Sequence, residues 1–150
     1  MRFDTTKFDA ALVLTHVRSK GKWGVEVSSI AGKTLRIGGQ IDSTGIDMMQ
    51  TAALLTGIAE LRSQRMPVSN PRLLVTSNRT QFLAALKSDN LTELTVPDHV
   101  KAELQRELRG LQVTYDQAEP KLAADFSNWT NNLVRTYAPA FPIAALSQLA

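Results

Sequence analysis

The 150-residue chain contains no cysteine, which removes disulfide scaffolding, thiol catalysis and cysteine-ligated zinc or iron–sulfur centres together. Histidine is nearly as scarce. His16 and His99 stand alone, so a zinc site would need carboxylates to complete its ligand set, and no histidine-rich spacing points to one. No metal or other cofactor is expected. Long apolar runs are also missing: patches such as Ala52–Leu55 and Ile143–Leu146 fall far short of the roughly 20 residues a spanning helix needs, so no membrane partner is expected. The opening Met1-Arg2-Phe3-Asp4 lacks the basic-then-apolar order of a signal peptide. With cysteine absent, a cytoplasmic address is the expectation.

What is present reads as one globular domain. The apolar fraction of 43% and charged fraction of 21% are ordinary. We expect a domain over 1–138 and a tail over 139–150, whose apolar piece Ile143–Leu149 docks on the body or on a protein partner. Net charge is only +3, but Arg18, Lys20, Lys22, Lys33 and Arg36 cluster early in the chain. Such a cluster either attracts phosphates or keeps a solvated hairpin soluble.

Periodicity gives the order of elements. Ala10–Val17 is a β-prone run, Arg18–Lys22 a glycine turn, and Trp23–Ser28 and Thr34–Ile41 two further strands, together an antiparallel meander. Asp42-Ser43-Thr44 offers caps for a helix from Ile46 to Ser63, with Ile46, Gln50, Ala53, Leu54, Gly57 and Leu61 on one face. Strand Arg72–Ser77, helix Thr80–Lys87, helix Asp98–Leu108 and strand Leu111–Asp116 follow. A last helix from Pro120 to Tyr137 carries the stripe Leu122, Phe126, Trp129, Leu133, Tyr137. The expected fold is α/β: a mixed five-stranded sheet, three antiparallel strands and then helix-linked strands, flanked by helices on both faces.

Between Ala10 and Tyr137 the order and spacing resemble the ribonuclease H-like family. Ile37-Gly38-Gly39-Gln40 followed by Thr44-Gly-Ile-Asp-Met-Met-Gln50-Thr-Ala-Ala-Leu-Leu is similar to the family's third-strand end and first helix. Leu73-Leu-Val-Thr-Ser-Asn78 is similar to its fourth strand. The family cuts nucleic-acid phosphodiesters with two divalent ions held by about four carboxylates, since hard cations want anionic oxygen. Carried over residue by residue, the resemblance puts those four positions on His16, Gln50, Asn78 and Asn131, with Asn128 or Asn132 in place of Asn131 if the register slips. None is acidic, so the resemblance implies a catalytically silent copy.

Asp42 and Asp47 read as helix caps or as part of a displaced metal set with Asp125. His16 reads as a hydrogen-bonded packing residue or as a catalytic one lacking an evident partner. The resemblance also implies that the segment after the first strand follows a nucleic-acid backbone. Arg18, Lys20 and Lys22 would then meet phosphates, Asn78 and Arg79 would hydrogen-bond the backbone near the old active centre, and Trp23 would either stack or anchor the hairpin. The expected partner is duplex or hybrid nucleic acid. A protein-interaction module and a nuclease with relocated acids are the alternatives.

Overall fold

The computed structural model describes residues 3–32, 34–41, 45–66, 69–88 and 90–131. Strands β1 (Ala10–Val17), β2 (Lys22–Ser29) and β3 (Leu35–Gln40) form the antiparallel meander, with one 3₁₀ turn over Arg18–Lys20 joining the first two. Helix α1 (Ile46–Ser63) then leads to β4 (Arg72–Ser77), α2 (Thr80–Lys87), α3 (Asp98–Leu108), β5 (Gln112–Gln117) and α4 (Pro120–Asn131). The sheet order is β3-β2-β1-β4-β5, with β1 parallel to β4 and β4 parallel to β5. This is the mixed five-stranded sheet the periodicity predicts, and strand ends differ by one residue where Trp23–Ser28, Thr34–Ile41 and Leu111–Asp116 were expected.

Strand alternation sorts the two faces. Leu12, Leu14 and His16 point toward α1, as do Val25 and Val27 from β2 and Leu73, Val75 and Ser77 from β4. Gly57 brings α1 down onto this face: a Cβ there would lie 2.8 Å from a Leu12 methyl and 3.1 Å from Val25. On the opposite face α4 lies across β1 and β2, so close that a Cβ on Gly24 would meet the Trp129 ring at 2.5 Å. The helices therefore cover both faces, as expected.

One apolar face was expected for α1, yet 13 of its 18 residues are buried. The sheet takes one side, and α3 with the loop before it takes another. Met49, Leu54, Leu55 and Ile58 are almost wholly removed from water, each burial contributing about 1.5–3 kcal/mol. The predicted caps Asp42, Ser43 and Thr44 lie outside the described residues, and Gly45 precedes the first turn with no side-chain cap bond. In α4, Phe126 is buried and Leu122 and Trp129 half-buried. Asn132, Leu133, Tyr137 and the 139–150 tail lie outside the described residues.

The pole of the sheet where the chain enters β1 and β4 is closed by an ion pair. Asp9 accepts hydrogen bonds from the backbone N–H of Arg72 at 2.8 Å and from its guanidinium at 3.1 Å. Those bonds hold the Asp9 carboxyl below its usual range. Glu26, buried on the α4 face, pairs with Arg36 at 3.2 Å, and the Arg36 guanidinium lies 4.9 Å over the Phe126 ring and 5.4 Å over Trp129.

Candidate functional site

Because β1 and β4 run parallel side by side, their carboxyl ends open at the same edge, and their connections then diverge to opposite sides of the sheet. In open α/β sheets that divergence leaves a crevice where ligands bind. Register places Leu14 of β1 beside Ser77 of β4, with His16 two residues on and pointing to the same face. Helix α1 lays Gln50 across the gap between them.

The three side chains form a hydrogen-bonded chain. The Ser77 hydroxyl donates to Gln50 Oε1 at 2.6 Å, and Gln50 Nε2 lies 2.8 Å from His16 Nδ1. The Arg79 backbone N–H donates to Ser77 Oγ at 3.0 Å. Gln50 and Ser77 are fully buried and His16 half-buried. A buried amide left unpaired is costly, so its pairing at both ends locks the chain's geometry. Burial pushes the His16 pKa down, and the nearby Arg79 guanidinium adds to the shift, so the imidazole is neutral near pH 7.

The mouth of the crevice is basic. Arg18, Ile46, Arg79 and Thr95 line a cleft of about 240 Å³ around the start of α1. Asp47 sits beneath it with fixed partners: its Oδ2 accepts the Thr95 N–H at 2.8 Å, and its Oδ1 lies 3.8 Å from Arg79 Nε. It therefore pins the loop before α3 and orients Arg79. Asp125 is exposed on α4, and Asp42 lies outside the described residues. Among the described residues, no three His, Asp or Glu side chains gather in a way that could hold a metal ion.

The structure brings only part of the expected set together. His16 and Gln50 converge. Asn78 does not join them: it is exposed, one position beyond the strand, and Ser77 makes the bond to Gln50. Asn131 is exposed as well; its carbonyl accepts from Lys22 Nζ at 3.3 Å, and its buried neighbour Thr130 bonds Thr15 Oγ1 at 3.1 Å on the opposite face. Trp23 is 1% exposed with its ring packed over Gly39, so it anchors the hairpin and offers no surface to a base. Arg18 is exposed at the cleft, whereas the side chain of Lys20 lies outside the described residues. Ser77 and Thr130 escaped the sequence reading. The period-two run Leu73, Val75, Ser77 and the four-residue step from Phe126 to Thr130 were the signals that could have found them.

The chain has a ribonuclease H-like fold. It superposes on a ribonuclease H1 solved in complex with an RNA/DNA hybrid, with a TM-score of 0.62 at 12% identity over 81% of this chain and 92% of that one. Ribonuclease H1 from the halophilic archaeon Halobacterium salinarum gives 0.57 at 12% identity, over 82% and 96%. The N-terminal RNase H domain of a Mycobacterium tuberculosis protein gives 0.56 at 9% identity, over 93% and 97%. No family model matches the sequence, and no curated protein does. Two divalent ions are what the resemblance implies, and the residues at this edge do not fit them. An imidazole, an amide and a hydroxyl supply no anionic oxygen, and both ends of the Gln50 amide already have partners.

Proposed function

We propose that this chain binds the sugar–phosphate backbone of duplex or hybrid nucleic acid along the mouth of the crevice and does not cleave it. The carrying observation is the neutral His16–Gln50–Ser77 chain at the joint end of β1 and β4, bordered by Arg18 and Arg79. Phosphate neutralisation by those two arginines needs no catalytic carboxylates. A ribonuclease H1 of the same fold has been solved in complex with an RNA/DNA hybrid, which supports a nucleic-acid partner. A cytoplasmic setting belongs to the proposal. Among the described residues no helix is long and apolar enough to cross a membrane. The interaction-module alternative through Ile143–Leu149 rests on residues outside the described set.

The test is a salt titration of hybrid binding by fluorescence anisotropy, since each phosphate contact contributes about 0.9 to the log–log slope. Arg18→Ala together with Arg79→Ala should flatten that slope by roughly two units. An unchanged slope, or no binding by the parent at low salt, refutes the proposal. Mg²⁺- or Mn²⁺-dependent cleavage that survives purification and vanishes in an Asp125 or Asp47 variant refutes its second half.

A further inference from the structure

At the other pole of the sheet, about 16 Å along the α1 axis from Gln50, a second cavity has no part in the site above. It measures about 310 Å³ and lies between the last turn of α1, the entry to β4 and the link from α3 to β5. Its floor is apolar, built from Ile58, Leu61, Met66, Leu73 and Leu111. Its rim carries three guanidinium groups, Arg62, Arg65 and Arg109.

The rim is not a neutralised one. Arg62 is fixed in place by Glu107, whose carboxylate lies 3.4 Å from its Nε and whose carbonyl accepts from it at 2.6 Å. Arg65 and Arg109 are exposed, and no ion pair joins either side chain among the described residues. Two cationic forks therefore overlook an apolar floor with no counter-charge of their own. The backbone at Arg65 adds an independent observation. Its φ is 51°, the left-handed conformation that ends many helices and that favours glycine. An arginine there works against its own backbone, an outlier of the kind that accumulates at binding sites.

We propose that this cavity binds a small organic anion, with an apolar body seated on the Leu61–Leu73 floor and a phosphate or carboxylate held by Arg65 and Arg109. The volume is at the low end for small-molecule pockets, which limits the body to about the size of a nucleobase or a short acyl chain. Planar guanidinium forks match the paired oxygens of either anion. The inference stands apart from nucleic-acid binding, since the two sites share no residue.

The experiment follows the methyl resonances of Ile58, Leu61 and Leu73 in the full chain. The probes are adenosine monophosphate, octanoate, uncharged adenosine and inorganic phosphate. One of the two amphiphilic anions should shift these methyls saturably, with adenosine and phosphate each binding more weakly. Response to adenosine monophosphate assigns a nucleotide-type ligand, and response to octanoate an acyl type. Arg65→Gly removes one cation while relieving the left-handed backbone, so it should weaken binding about tenfold with no loss of melting temperature. Arg109→Gln, on an exposed side chain, should weaken it similarly. No shift with either anion, equal affinity for phosphate alone, or unchanged affinity in both variants overturns the proposal. So does a change in the salt slope of hybrid binding in Arg65→Gly, which would make these arginines part of the nucleic-acid surface.

Discussion

Replacing Gln50 by leucine tests whether the polar chain at the sheet edge holds the fold together. The side chains are similar in volume, and position 50 is fully buried, so the substitution opens no large cavity. It removes the acceptor of the Ser77 hydroxyl and the partner of His16 Nδ1 at once. A buried polar group left without its partner costs about 1–3 kcal/mol. The Ser77 oxygen keeps the Arg79 N–H and His16 is only half-buried, so neither loss is complete. Leucine recovers part of the cost through its own apolar burial. We expect a net destabilisation of about 2–3 kcal/mol, or roughly 5–10 °C in Tm for a chain of this length. Urea unfolding measures it, with a constant m value showing that the two states are unchanged. Adding Ser77→Ala removes the orphaned hydroxyl. The double variant should therefore be more stable than the sum of the single effects requires, by about 0.5–2 kcal/mol. A cost under about 0.5 kcal/mol for Gln50→Leu, or strict additivity in the pair, refutes the claim that these bonds are made and matter.

Two further perturbations follow from packing and protonation. The folded His16 pKa lies below its usual value of about 6.5, so the unfolded chain binds the proton more readily; stability should be complete above about pH 6.5 and decline as pH falls through the depressed folded value. Urea midpoints measured from about pH 7.5 down to about pH 5 should show this decline and lose it in His16→Gln; an identical profile in both would remove His16 as its source. Gly57→Ala should destabilise by about 1–2 kcal/mol despite alanine's better helix propensity, because the new methyl meets Leu12 at 2.8 Å and Val25 at 3.1 Å; a rise in Tm would mean that the helix and sheet separate at little cost.

The strands and helices were legible because their periods are clean. Leu12-Val-Leu14 and Leu73-Leu-Val75 alternate or run apolar between turn residues, and each helix shows its three- and four-residue steps. Less legible was α1, where Ala52, Leu55 and Ile58 fall off the face that Gln50, Ala53 and Leu54 define. Their burial requires tertiary partners beyond the sheet, among which α3 contacts α1, and periodicity does not reveal them. At the site, the resemblance points to His16, Gln50 and Asn78, whereas the structure sets Ser77 beside Gln50 and leaves Asn78 exposed. The difference is one of parity: one step along a strand turns a side chain to the other face, and Ser77 shares the face of Leu73 and Val75. Trp23 was open to two readings for the same reason. It pairs with His16 across β1 and β2 and shares the core face with Val25, so alternation already favoured anchoring.

The bonds at the sheet edge also have a polarity. The Arg79 N–H points to Ser77, the Ser77 O–H to Gln50, and the Gln50 N–H to His16, each group donating onward in one direction. A chain ordered this way fixes the tautomer at its far end: His16 accepts at Nδ1 and must carry its proton on Nε2. The ring nitrogen left over is thus a donor. In that tautomer Nε2 donates a hydrogen and has no lone pair with which to take a proton. Three neutral side chains, two of them wholly buried, thereby set the hydrogen-bonding sign of this sheet edge.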